Sequence, residues 1–175
     1  AGASITHHPH PGRGPDGGAL TTDVARLGDK DAPHLFIATS ATHGVEGFCG
    51  SGCMVGFLQE RLHSELPRGT AMVLVHAINP HGFAHERRVN EDNVDLNRNF
   101  VDHAAARTPN PAYASIHDML VPADWDGPAR AAADREIETY VATRGMKVFQ
   151  AAVTGGQYTH ADGLFYGGAG PIWSN

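Results

Sequence analysis

The apolar run at residues 34–39 breaks into the turn Ser40–Ala41–Thr42–His43–Gly44–Val45–Glu46–Gly47, and a second apolar run, Ala71–Met72–Val73–Leu74–Val75, follows a helical stretch. Strand, helix, strand in that order predicts a parallel pair joined by a right-handed crossover, the unit of an α/β fold. Between the strands, Met54, Leu58 and Leu62 recur every fourth residue, and Val55 and Phe57 widen the stripe. That spacing predicts a helix over 50–64 with this face on the core, ended by Pro67 and Gly69. In open α/β sheets ligands gather at the carboxyl ends of the strands. The turn at 40–47 and the turn Asn79–Pro80–His81–Gly82 after the second strand both lie there.

The first turn carries a His and a Glu three residues apart, His43 and Glu46, among glycines. Imidazole and carboxylate both ligate zinc, and glycine lets the backbone bend until both face one ion. A second cluster follows: Arg88, then Asp95–Leu96–Asn97–Arg98–Asn99–Phe100. It predicts a loop with Leu96 as its buried anchor. The fork of Arg98 suits a carboxylate, and Asn97 adds a neutral donor beside it. Arg88 suits the oxyanion that develops on a polarised carbonyl. The alternative for Arg87, Arg88 and Arg98 is ion pairing with Glu86, Glu91 and Asp92 nearby. Metal donors plus an anion clamp outline a hydrolase.

Elsewhere the chain is less informative. Residues 1–18 are rich in Gly, Pro and His and are expected to be irregular; His7–His8–Pro9–His10 could hold a metal but reads rather as a solvated, flexible segment. Ala19–Leu27 reads as a short edge strand or turn, Ala129–Thr143 as a helix capped by Gly145, and Val148–Val153 as a third strand. Cys49 and Cys53 sit four apart at the start of the first helix; a bridge there would constrain almost nothing, so both read as small residues facing the core. With no repeat and no linker in its 175 residues, the chain reads as a single domain. Its net charge of −6 gives no reason to expect nucleic acid. No apolar run reaches the roughly 18 residues that cross a bilayer, so no membrane role is expected. Reduced cysteines and the lack of an export signal point to the cytoplasm. The chain opens at Ala1 without a Met, which reads as processed, trimmed or partial.

Taken together, the motifs resemble those of the zinc carboxypeptidases of the M14 type. They are His43–Gly–Val–Glu46, Asn79–Pro80–His81–Gly82–Phe83, Arg88 nine residues before Asn97, and Asp95–Leu–Asn–Arg–Asn–Phe100. The flanking text is closer to a bacterial branch, the DUF2817 group of M14-like metallopeptidases. Thr42–Gly52, His76–Pro80, Arg87–Phe100 and Gly156–Gly168 resemble it almost continuously. The resemblance implies an α/β fold, with a mixed, mostly parallel sheet between helices, of which this chain is the N-terminal part. It implies that His43 and Glu46 are the first two ligands of Zn2+, that Arg88 polarises the scissile carbonyl, and that Asn97 and Arg98 grip a terminal carboxylate. It further implies a third ligand and a general base beyond residue 175. By their own positions, His76 and His81 near the crevice could lend a ligand but read as second-layer or packing residues, and the Gly-rich loop around His160 reads as a groove wall. The substrate so implied is a small peptide or an N-acyl amino acid, and the oligomeric state is open.

Two other readings of the residues stand beside this one. The first is a binding module that keeps the pocket without the chemistry. The second is a nucleotide-binding turn at Gly50–Ser–Gly52–Cys–Met–Val–Gly56, set too far after its strand for a phosphate turn. A serine hydrolase is disfavoured by the absence of a Gly-x-Ser-x-Gly elbow.

Overall fold

The computed structural model describes residues 3–175, and the chain divides into two compact units, residues 1–91 with Ser174 and residues 92–173 with Asn175. The first holds β1 (Ser4–Arg13), β2 (Ala19–Leu27), β3 (His34–Thr39), α1 (Gly44–Gln59), β4 (Thr70–His76) and α2 (Pro80–Ala84). The second holds α3 (Pro111–Ala114), α4 (His117–Leu120), α5 (Pro128–Arg144) and α6 (Met146–Thr154).

The four strands of the first unit make one mixed sheet in the order β1-β2-β4-β3. β3 and β4 pair in parallel from His34↔Thr70 to Thr39↔Val75, with α1 between them in sequence, as the two apolar runs predict. Parallel pairing stops there. β1 with β2 and β2 with β4 are antiparallel, so the sheet is mixed without being mostly parallel across these strands. The cause is the hairpin at 4–27. The expected irregular segment is instead the edge strand β1, from Ser4 to Arg13. Pro9 and Pro11 remain compatible with it because an edge strand can spare an N–H, and the register breaks between Pro9 and Arg13. Residues 1 and 2 of that segment lie outside the described residues. β2 accordingly sits inside the sheet, not at its edge.

Leu27, Met72 and Leu74 form the core, with Met54 and Phe57 of α1 packed on it together with Ala25, Ala38 and Leu66. α1 therefore buries a narrower stripe than its sequence predicts. Val55, Leu58 and Leu62 are exposed, and so are the free thiols of Cys49 and Cys53, which do not face the core. β3 is the other edge strand, and Leu35, Phe36 and Ile37 are all about half exposed, so of this apolar run only Ala38 packs on the core. Gly50–Gly56 lies wholly within α1 (Gly44–Gln59), which removes the nucleotide-binding turn: no glycine loop joins strand to helix there.

The second unit packs Leu96, Tyr113, Ile116, Ala133, Ala152 and Tyr166 in its interior. α5 covers the expected helix, and Gly145 at φ 91° ends it. Residues 146–154 then start a second helix, not the expected strand. Phe149, Ala152 and Val153 are its less exposed apolar residues, at i, i+3 and i+4. A short apolar run supports either period, and here the helical one wins.

Candidate active site

The ladder between β3 and β4 runs on past the strand ends. Ser40 N–H donates to the Val75 carbonyl (3.0 Å), Ile78 N–H to the Ser40 carbonyl (3.1 Å) and Asn79 N–H to the Ala41 carbonyl (3.0 Å). Both predicted turns are thereby held together at the carboxyl ends of the parallel pair. Ala41 takes the left-handed region at φ 60°, a costly place for a residue with a Cβ. That turn delivers His43 to the N-cap of α1 and Glu46 to its first turn.

His43 is buried, and its Nδ1 lies 3.1 Å from Glu46 Oε2. The other carboxylate oxygen, Oε1, lies 3.5 Å from Nη1 of Arg88. The structure thus brings together the imidazole, the carboxylate and the guanidinium that the sequence singles out in this unit. Arg88 thus pairs with an acid that lies 42 residues before it in the sequence. The pair is well exposed, with side-chain exposures of 40% and 72%, so it adds little to stability.

Glycine explains how the loop before Arg88 comes so close. Gly44 N–H donates to the Arg87 carbonyl (2.9 Å), and Arg87 N–H donates to the Gly82 carbonyl (2.9 Å). A Cβ on Gly44 would run into the carbonyl oxygens of Gly82 and Arg87. Asn79, missed as a site residue, sits between these segments. It is almost fully buried, caps α2 by accepting from Gly82 N–H (2.8 Å), and donates from Nδ2 to the Thr42 carbonyl over a long 3.5 Å. Asn before Pro is an N-cap signal that the sequence did carry.

The neighbouring histidines have packing roles. His76 Nδ1 lies 2.7 Å from Ser40 Oγ, its ring meets Phe83 edge-on at 4.9 Å, and burial lowers its pKa against an opposing pull from Asp23. His81 stacks on His85 at 4.2 Å; burial first, then the His85 charge, lowers its pKa. His10 accepts Gly12 N–H at Nδ1 (3.0 Å), which leaves the proton on Nε2 to meet Glu91 at 3.2 Å. Among the described residues, no group of three or more His, Cys, Asp and Glu side chains is arranged to hold a metal ion.

Asn97 and Arg98 belong to the second unit. Asp95 accepts Asn97 N–H (3.0 Å) and starts the 3-10 turn Leu96–Arg98, while fully buried Leu96 anchors it as expected. Asn97 is exposed. Arg98 donates from Nη2 to the Thr154 carbonyl (2.8 Å) and from Nη1 to the Asn97 carbonyl (3.2 Å), with its guanidinium over the Phe165 ring at 5.6 Å. Gly156, at φ 77°, lets the chain pass against the Arg98 stem, where a Cβ would come within 2.6 Å of Cδ. Asn99 donates to the carbonyls of Gly167 (2.8 Å) and Gly170 (2.9 Å), and Tyr158 OH donates to the Arg98 carbonyl (2.8 Å). Asn99 holds this loop from within, while Gln157 and Tyr113 hold the segment at 157–164, Gln157 donating to the His160 carbonyl (2.7 Å) and Tyr113 accepting from Leu164 N–H (2.6 Å); none of the three is marked out by its immediate neighbours. His160 packs against His117 with ring centroids 4.1 Å apart and planes tilted by 33°, and His117 Nε2 lies 3.5 Å from Asp162.

The whole chain, residues 1–175, matches the sequence profile of the family described as "Protein of unknown function (DUF2817)". The chain belongs to the DUF2817 family. No curated protein matches this DUF2817 chain in sequence. Among solved structures it is similar to an aspartoacylase family protein from Mesorhizobium loti, at 30% identity and a TM-score of 0.38, over 57% of this chain and 30% of that one. It is also similar to a metallo-carboxypeptidase from Burkholderia cenocepacia, at 15% identity and a TM-score of 0.40, over 79% of this chain and 33% of that one. The DUF2817 chain thus spans about a third of the length of these relatives.

Proposed function

We propose that this chain supplies part of the site of a zinc-dependent hydrolase that cleaves an amide or peptide bond beside a carboxylate-bearing group. The observation that carries the reading is the meeting of His43, Glu46 and Arg88 at the carboxyl ends of the parallel strands. The donor chemistry fits zinc. Two donors bound to one tetrahedral ion at about 2.0–2.2 Å stand about 3.4 Å apart. His43 Nδ1 and Glu46 Oε2, at 3.1 Å, are close to that separation. They make two donors, where a catalytic zinc takes about three from the protein.

Zinc bound there would supply a Lewis acid for the carbonyl and for water. The chain's own residues do the rest. Arg88 brings a fixed positive charge to the edge of the donor pair, suited to the oxygen of a carbonyl as it gains charge. It holds Glu46 by the oxygen that does not face His43, Oε1, and must let that oxygen go before its guanidinium can meet substrate. Asn97 and Arg98 are the proposed clamp for the substrate carboxylate. For Arg98 this requires exchanging the Thr154 carbonyl for the ligand, a favourable exchange because a carboxylate accepts a charge-assisted, bidentate pair. A small peptide or an N-acyl amino acid meets these requirements.

A second reading, a metal- or ligand-binding module without hydrolysis, is favoured by the donor set of two and by the tether on Arg98. Elemental analysis after dialysis against trace zinc tests both. The proposal expects about one zinc per chain, retained at a stoichiometry that drops in His43→Ala and Glu46→Gln. Equal zinc in all three proteins contradicts it. Zinc lost in the variants, with no amide cleavage by the full-length protein, selects the binding module.

A further inference from the structure

A closed circuit of hydrogen bonds joins the His43 turn to the Arg88 loop, and Asn79 is the only side chain in it. Asn79 Oδ1 accepts from Gly82 N–H, the Gly82 carbonyl accepts from Arg87 N–H, and the Arg87 carbonyl accepts from Gly44 N–H. Asn79 Nδ2 then reaches the Thr42 carbonyl, one residue before His43, and closes the loop. The acceptor role of Oδ1 fixes which way the amide faces, so Nδ2 must point at Thr42. The backbone of Asn79 adds two bonds, its N–H to the Ala41 carbonyl (3.0 Å) and its carbonyl from Phe83 N–H (3.0 Å). Ala41 is the residue held at φ 60°. Asn79 is 1% exposed, so water does not stand in for these bonds.

We infer that Asn79 is a positioning residue, whose side-chain amide sets the register between the turn carrying His43 and Glu46 and the loop carrying Arg88. The inference rests on the proposed site, because it assigns the spacing of that site to one amide. A helix cap needs only an acceptor. A register between two segments needs an acceptor for one and a donor for the other, and Asn offers both on one rigid group. Groups that orient metal ligands from behind change metal affinity about 10- to 100-fold when lost.

The chain contains its own comparator. Asn110–Pro111 opens α3 as Asn79–Pro80 opens α2, with Asn110 Oδ1 accepting from Tyr113 N–H (2.9 Å) and Nδ2 donating to the Ala152 and Gly156 carbonyls within the second unit. Asn→Asp at either position keeps the cap and removes the donor. The experiment measures zinc affinity by calorimetry, and exchange of the Gly44 amide by NMR, in the wild type, Asn79→Asp, Asn110→Asp and His43→Ala. The expected result is zinc binding weakened about tenfold or more in Asn79→Asp, as in His43→Ala, with Gly44 exchange also about tenfold faster in Asn79→Asp and both readouts within about twofold of wild type in Asn110→Asp. Asn79→Ser, which caps but is too short to reach Thr42, gives the same result if the aspartate variant does not fold. Unchanged Gly44 exchange in Asn79→Asp, where the cap is kept and the donor lost, makes Asn79 a cap and nothing more, and overturns the inference. So does a response no larger than that of Asn110→Asp. If His43→Ala binds zinc like the wild type, or the wild type binds none, the proposed function fails instead. Gly44 exchange then decides by itself whether Asn79 sets the register.

Discussion

Gly44 is the residue on which the candidate site depends most directly. Alanine there would gain up to about 1 kcal/mol as a better helix former. Its Cβ would run into two backbone carbonyls, those of Gly82 and Arg87, which have no rotamer to escape into. Overpacking of that kind costs about 1–3 kcal/mol and can exceed it, so the clash wins. We expect Gly44→Ala to be less stable by about 1–3 kcal/mol in urea unfolding; stability equal to or above wild type would show that the approach is looser than described. At this scale the sequence was informative for some residues and silent for others. His43, Glu46 and Arg88, which meet in the structure, could be singled out because metal donors in a glycine-flanked turn and an arginine downstream form a chemical pattern. Asn79 carried a capping signal, yet nothing local says that its amide also reaches Thr42. Asn99 could not be read from its neighbours, because its partners are the carbonyls of Gly167 and Gly170, far on in the sequence; Gln157 bonds within its own loop, to the His160 carbonyl three residues on, and its residue type alone does not announce that bond.

Among the elements, those with one dominant cause came out of the sequence and those with two competing causes did not. The β3–α1–β4 order and the extent of α5 followed from apolar runs and helix formers. β1 did not, because prolines and glycines speak against a strand while an edge position tolerates them. α6 did not, because six residues of mixed apolar character serve either period. Between α5 and α6, Gly145 at φ 91° and ψ 147° is the hinge, in a region that residues with a Cβ avoid. Gly145→Ala is expected to cost about 1–3 kcal/mol. The check is thermal unfolding followed by far-UV circular dichroism, and an unchanged midpoint would contradict the hinge. The exposed faces of Leu35, Phe36 and Ile37 had no sequence signature, since burial of a run depends on neighbours that the run does not encode.

At the scale of the whole molecule, the two units differ in how pH acts on them. In the first, burial lowers the pKa of His76 and of His81 below the ordinary 6.5. The unfolded chain then binds protons that the folded chain refuses. Their contribution to stability is complete above about pH 6.5 and is lost as pH falls through the lowered values. In the second, burial raises the Tyr113 pKa above 10.0, so stability is complete below about pH 10 and is lost as pH rises further. The first unit should therefore be the acid-sensitive one, with a melting temperature that falls between about pH 7 and pH 5 and a slope that flattens in the His76→Gln, His81→Gln double variant. An unchanged slope would place the acid sensitivity elsewhere. The proposed hydrolysis rests on a zinc ion at His43 and Glu46. It is tested most directly by anomalous diffraction at the zinc edge from crystals of this chain grown with zinc. The account expects a peak about 2.0–2.2 Å from both His43 and Glu46, with Arg88 turned away from the carboxylate. A peak at other residues, such as the stacked His81 and His85, with His43 and Glu46 still paired, would contradict it.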